Sequence, residues 1–207
     1  MKTTILLLAI AISLNTFGQD KNLVALTYDS ITTNYNLNPN DSVIIITPKS
    51  QKLFLVTNGI TVKDYIISTG KTGTGCLSGS GMTPYGTHRI KGMFGKGATS
   101  GAIFKSRVNT GKKAVIYTKR IDTDDDHVTT RIMWLDGLER GVNKGGNVDS
   151  RNRYIYIHGT PEEGLLGQPA SHGCIRMRND EVIELFDLVR NGMIVEILNE
   201  EFKKDIN

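Results

Sequence analysis

The most constraining feature of this sequence is a strand that ends in a histidine, followed by a loop that returns to a cysteine. Tyr154 to Ile157 are all strong β-formers and run into His158, where a glycine and then a proline stop the strand. The glycine-rich loop that follows reaches a second histidine, His172, two residues before Cys174. This stretch places one thiol and two imidazoles where a single fold could bring them together.

The residue types in this stretch favour nucleophilic chemistry. A cysteine attacks as the thiolate, and a free thiol has a pKa of roughly 8.5, so it needs a base or a cation nearby. His158 has a rigid mount at the strand end, and period-two alternation puts it on the same face as Tyr154 and Tyr156. Gly173 carries no side chain, so an acyl carbonyl could approach the Gly173 and Cys174 amides as an oxyanion hole. The pattern predicts acyl transfer through a thioester.

Two segments carry a resemblance to a known family. The first is His158-Gly159-Thr160 followed by Ser171-His172-Gly173-Cys174-Ile175-Arg176-Met177, which resembles the signature of the L,D-transpeptidase (YkuD-type) catalytic domain. The second is Met82-Thr83-Pro84-Tyr85-Gly86-Thr87, which resembles a Thr-Pro-x-Gly segment of that family. The resemblance covers residues 41 to about 198. It implies a mainly β, β-sandwich-like catalytic fold with long loops and one C-terminal α-helix packed on the sheet.

The resemblance also implies roles for residues of the motif. Cys174 would be the nucleophile, His158 the proton donor and acceptor, and the Gly159 carbonyl the group that orients His158. His172 would act in the catalytic site and help to bind substrate. The resemblance implies no metal ion, and no cofactor is expected.

Two flanking residues are assigned to substrate binding, and each has an alternative. Arg176 could hold a stem-peptide carboxylate bidentately, or it could brace the loop through a carboxylate such as Glu162. Ser171 could serve as a structural hydrogen-bond partner, and a second nucleophile there is disfavoured because the thiol is the better nucleophile at neutral pH.

The function predicted is that of an exported cysteine acyltransferase that cross-links peptidoglycan stem peptides through a thioester on Cys174. If water replaces the acceptor amine, the same site is an L,D-carboxypeptidase. A zinc hydrolase is a further alternative, since His158, His172 and Cys174 are all competent ligands, although no compact ligand spacing supports it. A non-catalytic wall-binding domain would need no nucleophile. Basic and aromatic residues are not interleaved, so no nucleic-acid partner is expected.

The chain divides into four predicted parts. Residues 1–19 resemble a signal peptide, with a lysine at position 2 and a short apolar run, which predicts export to the periplasm or cell envelope and no membrane contact after cleavage. Residues 20–40 are a polar lead-in with weak support for a helix over 23–31. Residues 41–200 form the catalytic domain, and residues 201–207 are a tail.

Secondary structure within the domain follows from local patterns. The segment 179–190 predicts a helix capped by Asn179 and ended by Asn191-Gly192. Residues 92–112 predict a long loop, and the acidic run 122–127 a solvated turn. The second cysteine, Cys76, lies in a glycine-rich loop and is expected to be a free thiol. Predicted strands cover residues 43–47, 52–56, 64–68, 87–91, 114–118, 129–134, 154–157 and 193–198.

Overall fold

The computed structural model describes residues 22–38, 40–123 and 126–199. The predicted signal peptide, residues 1–19, and the tail, residues 201–207, lie outside this range. Within it the chain has two α-helices, two short 3-10 helices and ten strands. The helices are α1 (residues 22–34) and α2 (Asn179–Leu188), and the 3-10 helices are Gly146–Val148 and Glu163–Leu165. The strands are β1 (Ser42–Thr47), β2 (Lys52–Thr57), β3 (Ile60–Ser68), β4 (Gly86–Phe94), β5 (Ala102–Lys105), β6 (Val108–Lys113), β7 (Val128–Gly137), β8 (Tyr156–Gly159), β9 (Ile175–Met177) and β10 (Ile194–Ile197).

Eight of the strands form a closed sheet. Their order is β4-β10-β1-β2-β3-β9-β8-β7, and β4 pairs with β7 to complete the ring. The pairing of β4 uses residues 132–137 of β7, whereas β5 pairs with residues 128–129 of the same strand. The β5–β6 hairpin is therefore an extension of the barrel. The mainly β prediction is confirmed, and the sandwich-like sheet is closed into a barrel.

Side chains alternate along the strands between the apolar interior of the barrel and its outer face. Ile157 of β8 and Ile175 of β9 belong to the main core cluster, and so do Val182, Leu185 and Phe186 of α2. Removing these side chains from water supplies about 1.5–3 kcal/mol each, so α2 is held on the barrel by its apolar face. The residues that alternate with the core positions of β8 and β9 point to the outer face.

A second helix corrects the prediction of a single C-terminal one. Val24, Tyr28 and Ile31 of α1 are buried in a cluster of their own, against the outer face of β1 and β2. Their i, i+4, i+7 spacing is helical, but the apolar Leu26 on the exposed face and the low helix propensity of the threonines and aspartate in this segment weaken the signal in the sequence. The lead-in is thus a packed helix.

The segment between β4 and β7 also differs from the prediction. Residues 92–112, predicted as a loop, contain the end of β4, all of β5 and all of β6 except its last residue, whereas residues 114–118, predicted as a strand, contain no strand. All six residues of β6 are exposed, so no apolar alternation marks it. The 114–118 segment is rich in β-formers, but its backbone bonds to loops: the Tyr117 amide donates to the Pro161 carbonyl at 2.7 Å.

Three predicted boundaries near the motif are wrong. Tyr154 has a φ of 57° and lies in a turn, so β8 begins at Tyr156, and only Tyr156 shares the face of His158 by alternation. Asn179 is the first residue of α2 and does not cap it; its buried side chain donates to the Thr160 carbonyl at 2.7 Å. The helix ends at Leu188, before the predicted Asn-Gly stop. At Tyr154, which stacks on Trp134, and at Asn179, tertiary partners override a local signal.

A buried histidine on β4 gives a testable dependence of stability on pH. The His88 ring is fully buried; Nδ1 donates to the Gly86 carbonyl and Nε2 accepts from the Ser150 hydroxyl, both at 2.9 Å. Burial lowers the pKa of His88 from 6.5 to about 4. The unfolded chain therefore binds a proton between pH 6.5 and 4 that the folded chain excludes. Its contribution to stability is complete above pH 6.5 and lost as the pH falls toward 4.

We expect the stability difference between the parent and His88→Gln to shrink by about 3 kcal/mol between pH 7 and pH 4. Urea unfolding of both proteins across this range measures it, and taking the difference cancels the other titrating groups. Parallel stability curves for the two proteins would show that His88 does not titrate in this way.

Candidate active site

The site is assembled by the parallel pairing of β8 and β9. His158 lies opposite Arg176 in the register, and Ile157 lies opposite Ile175. Because the isoleucines face the core, His158, Arg176 and Cys174 lie on the outer face. The return loop between the two strands is what brings distant parts of the motif to adjacent positions.

The thiol of Cys174 is held by the backbone that leads into β8. Its Sγ donates to the Tyr154 carbonyl and accepts from the Tyr156 amide, each at 3.4 Å. The residue is partly exposed, and it packs beside a buried cluster formed by residues of β5, β7 and β8. The surrounding protein keeps water away from the thiol, and this desolvation raises the pKa of the thiol to about 11. The resting thiol is therefore protonated at neutral pH.

The imidazole of His158 is buried and fixed in one tautomer. Nδ1 lies 2.7 Å from the Gly159 carbonyl, and a carbonyl only accepts, so Nδ1 carries the proton and Nε2 is left as the basic nitrogen. This contact is what the orienting role of Gly159 requires. Burial lowers the pKa of His158, so the ring is neutral at rest. Among the described residues no hydrogen bond joins His158 to Cys174, and catalytic hydrogen bonds commonly tighten only when substrate binds.

The loop before the cysteine departs from the predicted oxyanion hole. The Gly173 amide donates to the Ser171 hydroxyl at 3.1 Å, and that hydroxyl donates to the Cys174 carbonyl at 2.6 Å. A Cβ at position 173 would lie 3.0 Å from the Met82 carbonyl, and φ is 119°. Glycine is needed here for the turn and for this close approach, which leaves the Cys174 amide as the predicted donor. Ser171 is buried and acts as the structural partner.

Arg176 has the geometry of the bracing alternative. Its side chain is 1% exposed, with one terminal nitrogen 2.7 Å from Glu162 and the other 2.5 Å from Asp126. Two carboxylates occupy the guanidinium, so the substrate-binding role that the resemblance implied is not what this contact set favours. Removing one partner of such a buried pair is strongly destabilising, because it strands the other charge.

Asp126 was missed by the sequence analysis. It ends the acidic run predicted as a solvated turn, yet its carboxylate accepts from Nδ1 of His172 at 2.8 Å and pairs with Arg176. Burial acts to raise the pKa of Asp126, but Arg176 and the hydrogen bond from His172 outweigh it and lower the pKa. The His172 side chain is 82% exposed, so it lies at the mouth of the site. Nothing in an acidic run marks in advance a member that turns inward.

Arg153 is a further residue that the sequence analysis did not select. Its guanidinium donates to the carbonyls of Gly75, Cys76 and Met82 at 3.1, 2.9 and 2.6 Å. These bonds hold the segment before β4 against the turn that leads into β8. Cys76 is buried in that segment, and both cysteines are free thiols.

Two findings bear on the alternatives. Within residues 22–38, 40–123 and 126–199, no three His, Cys, Asp or Glu side chains are grouped so as to hold a metal ion, so no described residues support the zinc alternative. Neither of the two described helices has the length and apolar character needed to cross a bilayer.

A barrel that carries a cysteine and a tautomer-fixed histidine on the same outer face is the arrangement expected of a cysteine acyltransferase. The family model described as the L,D-transpeptidase catalytic domain (YkuD) matches residues 41–197. The chain belongs to this family, whose members cross-link peptidoglycan. The resemblance stated from the motif is thereby confirmed.

The individual proteins that resemble this chain share limited sequence identity with it or match only a short part of it. The Bacillus subtilis protein YqjB, named as a candidate L,D-transpeptidase, is 25% identical over 162 residues, which is 78% of this chain and 74% of YqjB. YkuD of the same organism, named likewise, is 51% identical over 41 residues, 20% of this chain and 25% of YkuD. The crystal structure of an L,D-transpeptidase from Xylanimonas cellulosilytica is 19% identical with a TM-score of 0.45, and the match covers 78% of this chain and 62% of that one. The chain thus spans less than two thirds of that solved structure.

Proposed function

We propose that this protein is an exported cysteine acyltransferase of the periplasm or cell envelope that joins peptidoglycan stem peptides by L,D cross-links, with a thioester on Cys174. The observation that carries the proposal is the placement of Cys174 and His158 on one face of adjacent parallel strands, with the His158 tautomer fixed by Gly159. The N-terminal segment supports export.

The reaction would run in two half-reactions with the same proton traffic. The Cys174 sulfur attacks the carbonyl of an L-to-D bond while Nε2 of His158 takes the thiol proton. The C–N bond then breaks, and the imidazolium returns the proton to the departing amine of the terminal D-amino acid. An amine from a neighbouring stem next attacks the thioester, loses a proton to Nε2, and the C–S bond breaks to regenerate the thiol.

The two perturbed pKa values shape the first step. The thiol pKa is raised and the imidazole pKa lowered, so the resting pair is neutral rather than an ion pair. Proton transfer then accompanies attack on the carbonyl, which is general-base catalysis in the ordinary sense. A neutral thiol also limits oxidation of the nucleophile between turnovers, because the thiolate is the reactive species.

The buried ion pairs of Arg176 would support this chemistry by keeping the surroundings of Cys174 in place. Arg176, braced by Asp126 and Glu162, holds the strand and loop that carry the nucleophile. The exposed ring of His172, tied to Asp126, is placed to contact a bound peptide.

Mass analysis of wall fragments incubated with the purified protein tests the proposal. A tetrapeptide-stem fragment should yield a cross-linked dimer with release of the terminal residue. Conversion to the tripeptide alone would show the hydrolytic alternative. Activity should survive EDTA and be lost on thiol alkylation; loss in EDTA with survival of alkylation would contradict the cysteine mechanism.

A further inference from the structure

The hairpin between β5 and β6 turns on two residues that are poorly suited to such a turn. Lys105 pairs with Val108, so Ser106 and Arg107 are the two turn residues, with φ of 49° and 68°. Two-residue hairpin turns with both φ values positive strongly favour Asn and Gly. An arginine in the left-handed region carries a steric cost. Arg107 is therefore better explained by what its side chain does than by the turn.

The guanidinium of Arg107 is fixed on an aromatic platform. One terminal nitrogen donates to the Tyr156 hydroxyl at 2.9 Å. The guanidinium carbon lies 4.4 Å from the centroid of the Trp134 ring and 5.6 Å from that of Tyr154. Cation–π contacts of this kind hold an arginine in place while leaving its charge intact.

Two residues of this aromatic platform, Tyr154 and Tyr156, also lie next to Cys174. The Tyr156 amide and the Tyr154 carbonyl are the two groups that contact the Cys174 sulfur. The same two residues thus contact the thiol through their backbone and Arg107 through their side chains.

Among the described residues, no carboxylate forms an ion pair with the arginines around this aromatic platform. None of the ion pairs among the described residues includes Arg107, Arg151 or Arg153. Arg151 lies 5.2 Å from the Trp134 ring centroid, and Arg153 donates only to backbone carbonyls in its hydrogen bonds. Arg176, by contrast, pairs with both Glu162 and Asp126. The aromatic residues beside the thiol therefore carry two guanidinium groups, those of Arg107 and Arg151, that no described carboxylate pairs with.

We propose that Arg107 binds a carboxylate of the donor peptide and so selects acidic stem peptides. This inference rests on the proposed function and names the substrate chemistry of the same site. A guanidinium has five N–H donors, and the hydrogen bond to Tyr156 uses one of them, which leaves a fork for a bidentate carboxylate. The carboxylate can come from the terminal residue of the stem or from an acidic side chain within it.

Equilibrium binding separates this inference from catalysis. The protein contains one tryptophan, Trp134, and it lies directly under Arg107, so its fluorescence reports on a ligand at this position. Titrations would use Cys174→Ser to prevent acylation, with calorimetry as a second measurement. The ligands are a tetrapeptide stem as the free acid, its C-terminal amide and its side-chain amide, which distinguish the two carboxylate sources.

Arg107→Asn is the informative variant, because asparagine suits the turn and removes the charge. Lys105→Gln is its control, with the same loss of charge two residues away on an exposed strand position. We expect Arg107→Asn to weaken binding of the free acid by about 10- to 100-fold and to leave one of the two amides unaffected, and Lys105→Gln to change neither. The amide that Arg107→Asn does not affect identifies the bound carboxylate.

Equal effects of Arg107→Asn on the free acid and both amides, or no effect, would overturn the inference. The unsubstituted enzyme distinguishes this from failure of the proposed function. If it forms an acyl-enzyme on Cys174 but Arg107→Asn does not discriminate acid from amide, only the inference fails. If no acyl-enzyme forms while binding of the acid still depends on Arg107, the proposed function fails and the carboxylate site stands.

Discussion

Replacing Cys174 with serine is expected to abolish acyl transfer and to leave the fold intact. The hydroxyl is a much weaker nucleophile at neutral pH, while its volume is close to that of the thiol. Cys174 is partly exposed and lies outside the main core cluster, so the substitution opens no cavity there. Acyl-enzyme mass and turnover measure the effect, with circular dichroism to check folding. Turnover within about tenfold of the parent would rule out Cys174 as the nucleophile.

The chain offers a matched control in its second cysteine. Cys76→Ser makes the same chemical change at a buried thiol, Cys76, whose sulfur lies 3.9 Å from the Tyr85 carbonyl, and serine occupies nearly the same volume. Under reducing conditions this variant should retain activity. Loss of activity in Cys76→Ser would mean that general effects of replacing a thiol, or a role for Cys76, account for part of the Cys174 result.

The second large effect is expected on replacement of His158, the proposed general base. His158→Ala should slow acylation by ~10²–10⁴, the range typical of losing a general base. His172→Ala should act more on substrate binding, because its ring is exposed and held by Asp126 rather than by the nucleophile's strand. Single-turnover acylation at saturating and limiting substrate separates the two effects.

The pH dependence of Cys174 alkylation assigns the base. In His158→Ala we expect alkylation to be slow near neutral pH and to rise tenfold per pH unit toward the thiol pKa of about 11. The parent and His172→Ala should show an additional rate at lower pH, which appears once the His158 ring is neutral, above its lowered pKa. If His158→Ala keeps the parent profile and His172→Ala loses it, the roles are reversed.

Much of the local structure could be predicted from the sequence. The Asn58-Gly59 turn joins β2 and β3 with φ of 53° and 71°, as that dipeptide predicts, because asparagine and glycine tolerate the left-handed region. The strand ending at His158 and the helix after Met177 were also found, since β-formers and an apolar face at helical spacing act over a few residues. The motif selected Cys174, His158 and Gly159 for the same reason: they lie within one short stretch.

The remaining site residues come from contacts across long stretches of chain. Asp126 meets His172 across 46 positions, and Arg107 meets Tyr156 across 49. Neither carries a local signal, since one ends an acidic run and the other occupies an unfavourable turn. Likewise β6 has no apolar face, and it is a strand only because β5 provides a hydrogen-bonding edge beside β7.

The sequence by itself therefore selected the side chains that are proposed to supply the chemistry, and it located most of the strands. Only the tertiary structure decided that the sheet closes through β4 and β7, that Arg176 is neutralised by two carboxylates, and that Arg107 is not. The physical reason is range. Backbone conformation is set by neighbours in sequence, whereas burial, the pairing of charges and the pKa values that follow depend on groups that only the fold brings together.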